Sequence, residues 1–426
     1  MENSNNTNEA NGRRNGNNGN NSITNIKGKK ILMVTSFYPP YHVGGACTHV
    51  YYLANELAKK GHEIHVLYSK EAYFLKRKHK PNSSNYLNHK NVHLHELKTP
   101  AGKYSLLYTY MFGVLPFKKD VLELFNQEFD VIHYHNISLL GPKIMQYGNA
   151  KKIYTAHDHW LVCPLNDFFA NGNICTKRTT PTNCSLCLMK NKRPAQAWRY
   201  SEILKKSLKN IDLIISPSEY LKKFLIKNSI NIPVLVLPNF ISPPPKIIEK
   251  SQLLEKDSYF FYAGMLEEIK GINNLLKAFK DSDKGLIIAG KGQLEKHVKN
   301  FISKHKLKHR IIYVGWLEGD EIYSYYKNAL AFILPSLCPE NSPLTILEAM
   351  SVGTPSIGSK IGGIPEIVKK IDQDLIFNYN DTLGLKEKVI NFDKNKYDEN
   401  IIKDTYQKHY SPDSYIENYL KIINEL

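Results

Sequence analysis

Two glutamates, Glu340 and Glu348, stand eight residues apart in the stretch CPENSPLTILEAMSVGTPSIGSKIGGIPEIV, which begins at residue 338. Between them, Ser342-Pro343 reads as an N-cap followed by proline at the first helical position. The N–H groups of Leu344 and Thr345 then point off a helix start, where the helix dipole helps them hold a phosphate. A carboxylate is a poor neighbour for a phosphate but a good acceptor for sugar hydroxyls. Glu340, in the loop before the helix, and Glu348, on its second turn, would therefore grip hydroxyls on either side of a held phosphate. The same spacing also suits a solvated loop residue and a surface helix residue.

A second set with chemical potential is Cys163-x11-Cys175-x8-Cys184-x2-Cys187. Four thiolates can close a tetrahedral zinc site and pin a long loop, here 160–190; free thiols are the alternative. A catalytic metal is not expected, because no D-x-D-like pair stands at a strand end.

These residues need a frame to position them. Short β-branched runs (KKILMVTS, HEIHVLYS, DVIHYHN, KIYTAHD, DLIISPS and PVLVLP) alternate with helical patterns, the rhythm of a parallel sheet. The first helix, GGACTHVYYLANELAKKGH, sets Val50, Leu53, Ala54 and Leu57 on one face; further helices are expected near 138–149, 194–209 and 218–228. The rhythm pauses at Pro243–Pro245 and restarts with YFFYAGML, GLIIAG, IIYVGW and LAFILPS. The predicted architecture is α/β: two doubly wound Rossmann-like domains facing a cleft, with C-terminal helices. Its expected parts are a disordered Asn-rich tail (1–28), a first domain (29–238), a linker (239–257), a second domain (258–404) and terminal helices (405–426) that pack back on the first domain. Open parallel sheets bind ligands at the carboxyl ends of their strands, where each motif sits.

Net charge is +17, from 57 basic and 40 acidic residues among 426. That favours an anionic partner or a lysine-rich solvated surface. Between Lys70 and Lys119, ten Lys or Arg face only Glu71 and Glu96 and are interleaved with aromatics, as in EAYFLKRKHK and AGKYSLLYTYMFGVLPFKK. This suits an anionic membrane surface, or core strand with exposed lysines. No apolar run reaches membrane-span length, and the N-terminal stretch has no signal-peptide core. The expected location is cytoplasmic, with the inner membrane face as a peripheral site. Without an RNP-like or helix-turn-helix signature, nucleic acid is not an expected partner.

The stretch from Pro339 to Val368 resembles the donor site of the family 4 retaining glycosyltransferases of the GT-B fold. It matches at Glu340, Glu348, Ala349, Gly353, Pro355, Gly362, Gly363, Pro365 and Glu366. The resemblance extends over nearly the whole chain after the tail. It implies that Glu340 lies against the transferred sugar and Glu348 on the ribose hydroxyls. It implies that Gly44 and Gly45 bring bare backbone near the donor diphosphate or the acceptor, and that His157, in YTAHDHW, sits near the reacting sugar. YAGMLEEIKG matches a G-R-L-x-x-x-K-G segment at Gly264, Lys270 and Gly271, with Met265 where the family carries arginine. Lys270 would then carry more of the charge compensation at the departing diphosphate. Gly290 and Gly292 would form a tight turn lining the nucleotide pocket. A similar cysteine loop occurs in a subset of these transferases.

The implied partners are a nucleoside-diphosphate-sugar donor and a glycan or lipid-linked acceptor hydroxyl. Charge at the leaving group would be met by Lys270, the Leu344 and Thr345 N–H groups and backbone at Gly45, with no catalytic cofactor. The alternatives are a nucleotide-sugar epimerase of similar fold and, in another class, a basic nucleic-acid-binding protein with a zinc loop.

Overall fold

The computed structural model describes residues 28–77, 80–81, 86–116, 119–170, 172–177, 179–243, 258–317 and 319–426. The tail expected to be disordered, up to residue 27, and the linker from Pro244 to residue 257 lie outside the described residues. The strands are β1 (Lys30–Val34), β2 (Glu63–Tyr68), β3 (Val92–Glu96), β4 (Val131–Tyr134), β5 (Lys151–Thr155), β6 (Phe169–Ala170), β7 (Asn173–Ile174), β8 (Leu213–Ser216), β9 (Val234–Val236), β10 (Tyr259–Ala263), β11 (Gly285–Ala289), β12 (Ile311–Gly315), β13 (Phe332–Leu334), β14 (Ser356–Ser359) and β15 (Ile376–Phe377).

Two parallel sheets result, in the orders β3-β2-β1-β4-β5-β8-β9 and β12-β11-β10-β13-β14-β15, with β6–β7 a separate antiparallel hairpin. Their inner strands are buried on both faces, which is why they read as continuous apolar runs, while the edge strand β3 exposes His93 and Leu94. Ile31 and Met33 of β1 join the cluster of Val50, Leu53 and Leu57 from the helix Gly45–Lys59. Leu32 and Val34 point the other way, into the cluster of Leu106, Phe125 and Trp198. Strand alternation thus gives one sheet two cores.

In each sheet the order reverses at the first strand: β1 lies between β2 and β4, and β10 between β11 and β13. Such a switch point opens a crevice beyond the carboxyl ends of the strands, because the connecting helices leave on opposite faces. The loops after β1, β4 and β5 and those after β10 and β13 carry the candidate residues.

The terminal helices join the two halves. Ile402, Tyr406 and Tyr410 of the helix Glu399–Tyr410 pack into the second core. Tyr415, Ile416, Tyr419 and Ile423 of the helix Pro412–Glu425 pack against the first sheet. The break between them is local chemistry: Ser411 accepts the Ser414 N–H at the new helix start and Pro412 follows it.

Some expected elements differ. The helix expected near 138–149 is a single 3-10 segment, Pro142–Gln146. The one expected over 194–209 is split into Ala197–Tyr200 and Glu202–Leu208 by Ser201, whose hydroxyl accepts the Ile203 N–H and starts the second piece. The basic, aromatic stretch after residue 100 is a helix, Lys103–Phe112, rather than a strand.

Candidate active site

Lys270 closes a one-turn 3-10 segment, Glu268–Lys270, after β10. Gly271 follows in the left-handed region at φ 74°, and a Cβ there would lie 1.9 Å from the Pro335 carbonyl oxygen. Only glycine lets these two loops touch. Their contact sets Lys270 Nζ 2.5 Å from Glu340 Oε1, which also accepts the Ser336 hydroxyl at 2.8 Å. Burial opposes charge on Glu340, but the Lys270 ammonium and these hydrogen bonds outweigh it and hold the carboxyl below its ordinary range. Burial likewise opposes charge on Lys270, and Glu340 overcomes it, so the amine titrates above its usual range. Both groups are charged at neutral pH.

The helix beyond them spans Leu344–Ser351 and has no acidic residue in its first turn. Its cap residue is Pro343, at φ −67° and ψ 119°, so the expectation that Ser342 caps the helix is corrected. The extended ψ of Pro343 turns Ser342 away. Its hydroxyl accepts the Asn239 N–H at 3.2 Å, and its carbonyl accepts Asn239 Nδ2 at 3.0 Å. Ser342 therefore ties the helix start to the end of the first half. Leu344 and Thr345 remain the first residues of the helix, whose N–H groups have no intrahelical acceptor.

Glu348 lies four residues into that helix and accepts the Tyr326 hydroxyl at 2.8 Å. Burial raises its carboxyl above the usual range, and the Tyr326 hydrogen bond only partly offsets this. Tyr52, on the helix Gly45–Lys59 of the first half, is close enough for Glu348 to raise its phenol. The two glutamates are therefore not equivalent: one is locked in an ion pair, the other is a carboxylate whose neighbours are phenols.

Across the cleft, Gly44 caps the first-half helix at φ 82°, and a Cβ there would meet nothing within 4 Å. A Cβ on Gly45 would lie 3.1 Å from Leu344 Cδ1, so the two helix starts face each other. His157, just beyond β5, pairs through Nε2 with His135 Nδ1 at 3.1 Å, while its own Nδ1 is buried without a partner. Burial pulls the His157 imidazole down to about 4, leaving it neutral. Its carbonyl accepts Asn341 Nδ2 at 2.9 Å, from the residue next to Glu340. Another bridge comes from Glu366, whose two oxygens accept the Glu219 and Tyr220 N–H groups at 2.8 and 2.7 Å. These N–H groups open the helix Glu219–Lys227, so a carboxylate from one half caps a helix of the other.

Gly264 and Gly290 meet each other, since a Cβ on Gly290 would lie 1.9 Å from the Gly264 carbonyl oxygen. Close packing of the β10 and β11 exits accounts for both. Met265 offers its carbonyl to the Tyr262 hydroxyl at 2.9 Å.

Cys163, Cys175, Cys184 and Cys187 line one cavity of about 120 Å³, together with Leu165, Phe168 and Leu186. Cys184 and Cys187 lie one turn apart on the helix Pro181–Lys190. Burial, with Cys175 and Cys184 nearby, raises the Cys187 thiol. Among the described residues, no three of these sulfurs all lie within 4.8 Å of one another.

Several residues were missed by sequence reasoning. Asn341 and Tyr326 hold His157 and Glu348, and Asp167 lies among Lys270, Arg193 and Glu340, with burial raising its carboxyl. His135 fixes the His157 ring. Only Asn341, beside Glu340, and His135, after a strand, carried any signal.

The sequence and the fold are matched by known proteins. The glycosyl transferases group 1 model matches residues 244–408, and the glycosyltransferase family 4 model residues 43–243. The chain belongs to the group 1, family 4 glycosyltransferases. An uncharacterized glycosyltransferase of Methanocaldococcus jannaschii is 24% identical over 359 residues, covering 80% of this chain and 83% of the relative. Sucrose-phosphate synthase from Thermosynechococcus elongatus shares the fold with a TM-score of 0.69 at 18% identity, over 93% of this chain and 98% of that one. Anabaena Alr3699/HepE, crystallised with UDP and glucose, gives 0.65 at 18% identity, over 93% and 100%. The architecture is GT-B, and the protein is a glycosyltransferase.

Proposed function

We propose that this transferase moves a sugar from a nucleoside diphosphate to an acceptor hydroxyl with retention of anomeric configuration and without a catalytic metal. The observation that carries the reading is the convergence of Lys270, Glu340, Glu348 and the Leu344 helix start at the exits of β10 and β13. The helix start and the Lys270 ammonium receive the diphosphate. Glu348 accepts the ribose hydroxyls, for which its position beyond the first turn and its uncharged neighbours suit it. Glu340, fixed by Lys270 and Ser336, orients the sugar. As the bond from anomeric carbon to phosphate oxygen breaks, the acceptor oxygen attacks from the same face. The leaving phosphate oxygen takes the acceptor proton. Lys270 and the helix start stabilise the charge released, which is the largest single contribution such a site makes. The Anabaena complex makes uridine diphosphate the first nucleotide to try.

The acceptor is proposed to be a glycan or lipid-linked hydroxyl, met at the inner face of a membrane. Tyr104, Tyr108 and Phe112 recur every four residues along the helix Lys103–Phe112 and are 67%, 47% and 44% exposed. Phe74 is exposed too, and Lys103 sits over the Tyr104 ring. Aromatics at an interface with lysines beside them suit anionic headgroups. Among the described residues no helix is long and apolar enough to cross a membrane.

The cysteine cavity is proposed to hold a structural zinc. Its four sulfurs are the right donor set, and the loop would draw together on binding. The reaction is tested by incubating the protein with sugar nucleotides and an acceptor and reading the anomeric configuration by NMR. A retained configuration supports the mechanism; inversion overturns it.

A further inference from the structure

Far from the cleft, at the edge of the first sheet, the alternation of β2 and β3 collects four side chains on one face. In HEIHV, Glu63 and His65 are two residues apart, and in VHLHE so are His93 and His95. The parallel register pairs His65 with His93 and Leu67 with His95. His65 therefore lies between both histidines of β3, with ring centroids at 4.9 and 5.0 Å. Its Nε2 is 2.7 Å from Glu63 Oε1, and its Nδ1 is 2.8 Å from His95 Nε2. One donor atom each from Glu63, His65 and His93 falls within a 4.8 Å span.

From this arrangement we propose a second, non-catalytic site: a divalent transition-metal ion bound by Glu63, His65 and His93, with His95 as a positioning residue. Two imidazoles and a carboxylate suit zinc, cobalt, nickel or copper rather than calcium or magnesium. With an ion on Nε2, His65 carries its proton on Nδ1 and donates it to His95 Nε2. That is the hydrogen bond a metal-bound imidazole usually makes to a neighbour. Lys30 is the competing cation. It lies 3.7 Å from Glu63, but it also reaches Gln127 Oε1 at 3.4 Å and the Phe129 ring, so it can withdraw. Glu63 and His93 are exposed, and β3 is the edge strand, so an ion can enter from solvent. Bound there, it would clamp β3 to β2.

The test is titration of the tag-free full chain with Co²⁺, read by its visible spectrum and by calorimetry. A Cys184→Ser/Cys187→Ser variant dismantles the four-cysteine site. The expected result is one nitrogen- and oxygen-ligated ion in that variant, lost on adding His93→Ala. His95→Ala should weaken it by about 10-fold or more, and Lys30→Ala should strengthen it. His93 is exposed on an edge strand, so its loss does not threaten folding, and circular dichroism checks this. Equal Co²⁺ affinity with and without His93 would overturn the proposal, as would binding only through the cysteines.

Discussion

The two walls of the cleft use opposite chemistry. The second-half wall is charged: Lys270 and Glu340 form an ion pair and Glu348 stands among phenols. The first-half wall is built on a cluster of neutral imidazoles: His49, His133 and His135 are buried, His157 is half-buried, and His49 contacts His157 edge-on at 5.2 Å. Tyr419 of the last helix reaches in to bond His133 at 2.9 Å. In the proposed reaction, charge is kept where the diphosphate is received. At the imidazole cluster opposite, burial has removed it, leaving hydrogen-bonding groups that neither attract nor repel an anion; Asp167 and Arg193 are the first-half charged groups beside the Lys270–Glu340 pair. A site for a charged donor and an uncharged hydroxyl acceptor calls for that asymmetry.

The largest effect should come from removing the charge on the donor wall. Lys270→Ala is expected to lower kcat by about 100-fold or more, the scale of losing one preorganised donor to leaving-group charge. If the first wall supplied the charge compensation instead, His157→Ala would produce the larger loss and Lys270→Ala the smaller. Glu348→Ala should raise the donor KM by about 10- to 100-fold with little change in kcat, because hydrogen bonds to a charged group contribute about 1.5–3 kcal/mol. A matching fall in kcat would place Glu348 in the chemistry rather than in nucleotide binding.

The neutral wall has its own signature in stability. In the folded chain His157 titrates near 4 and His133 near 3, against an ordinary 6.5, because burial penalises their charged forms. Below pH 6.5 the unfolded chain takes up protons that the folded chain refuses. Stability is thus complete above pH 6.5 and falls as pH drops toward 4, by about 1.4 kcal/mol per pH unit for each such histidine. Thermal melts across that range measure it; a flat profile would mean that the imidazoles are hydrated. The smallest effect is expected from Tyr326→Phe. It removes one hydrogen bond to Glu348, for about 1 kcal/mol and a severalfold rise in donor KM.

The donor wall was legible in the sequence because it lies in one contiguous stretch, with proline and glycines marking its turns. Glu340 in the loop and Glu348 on the helix could be placed by counting, and the helix start, read at Pro343, falls one residue later, at Leu344. The partner of Glu340 could not: Lys270 is 70 residues away and reaches it only because Gly271 lets one loop touch another at Pro335. Ser342 was misread because the rule for helix caps is local, and here Asn239, from the end of the other half, claims its hydroxyl and carbonyl. The imidazole wall was hardest to read. Its members come from the helix after β1, from β4 and from the exits of β4 and β5, and only parallel pairing brings them together. The cysteine spacings announced a cluster but not its geometry, and the four side chains on β2 and β3 needed the register before they could be seen together.

Calorimetric titration of uridine diphosphate into the parent protein and the Lys270→Ala and Glu348→Ala variants tests the donor wall most directly. The parent should bind, both variants should bind at least about 10-fold more weakly, and raised salt should weaken the parent more than Lys270→Ala. Equal affinity in all three proteins would show that the nucleotide lies elsewhere and that the helix start at Leu344 is not its cradle.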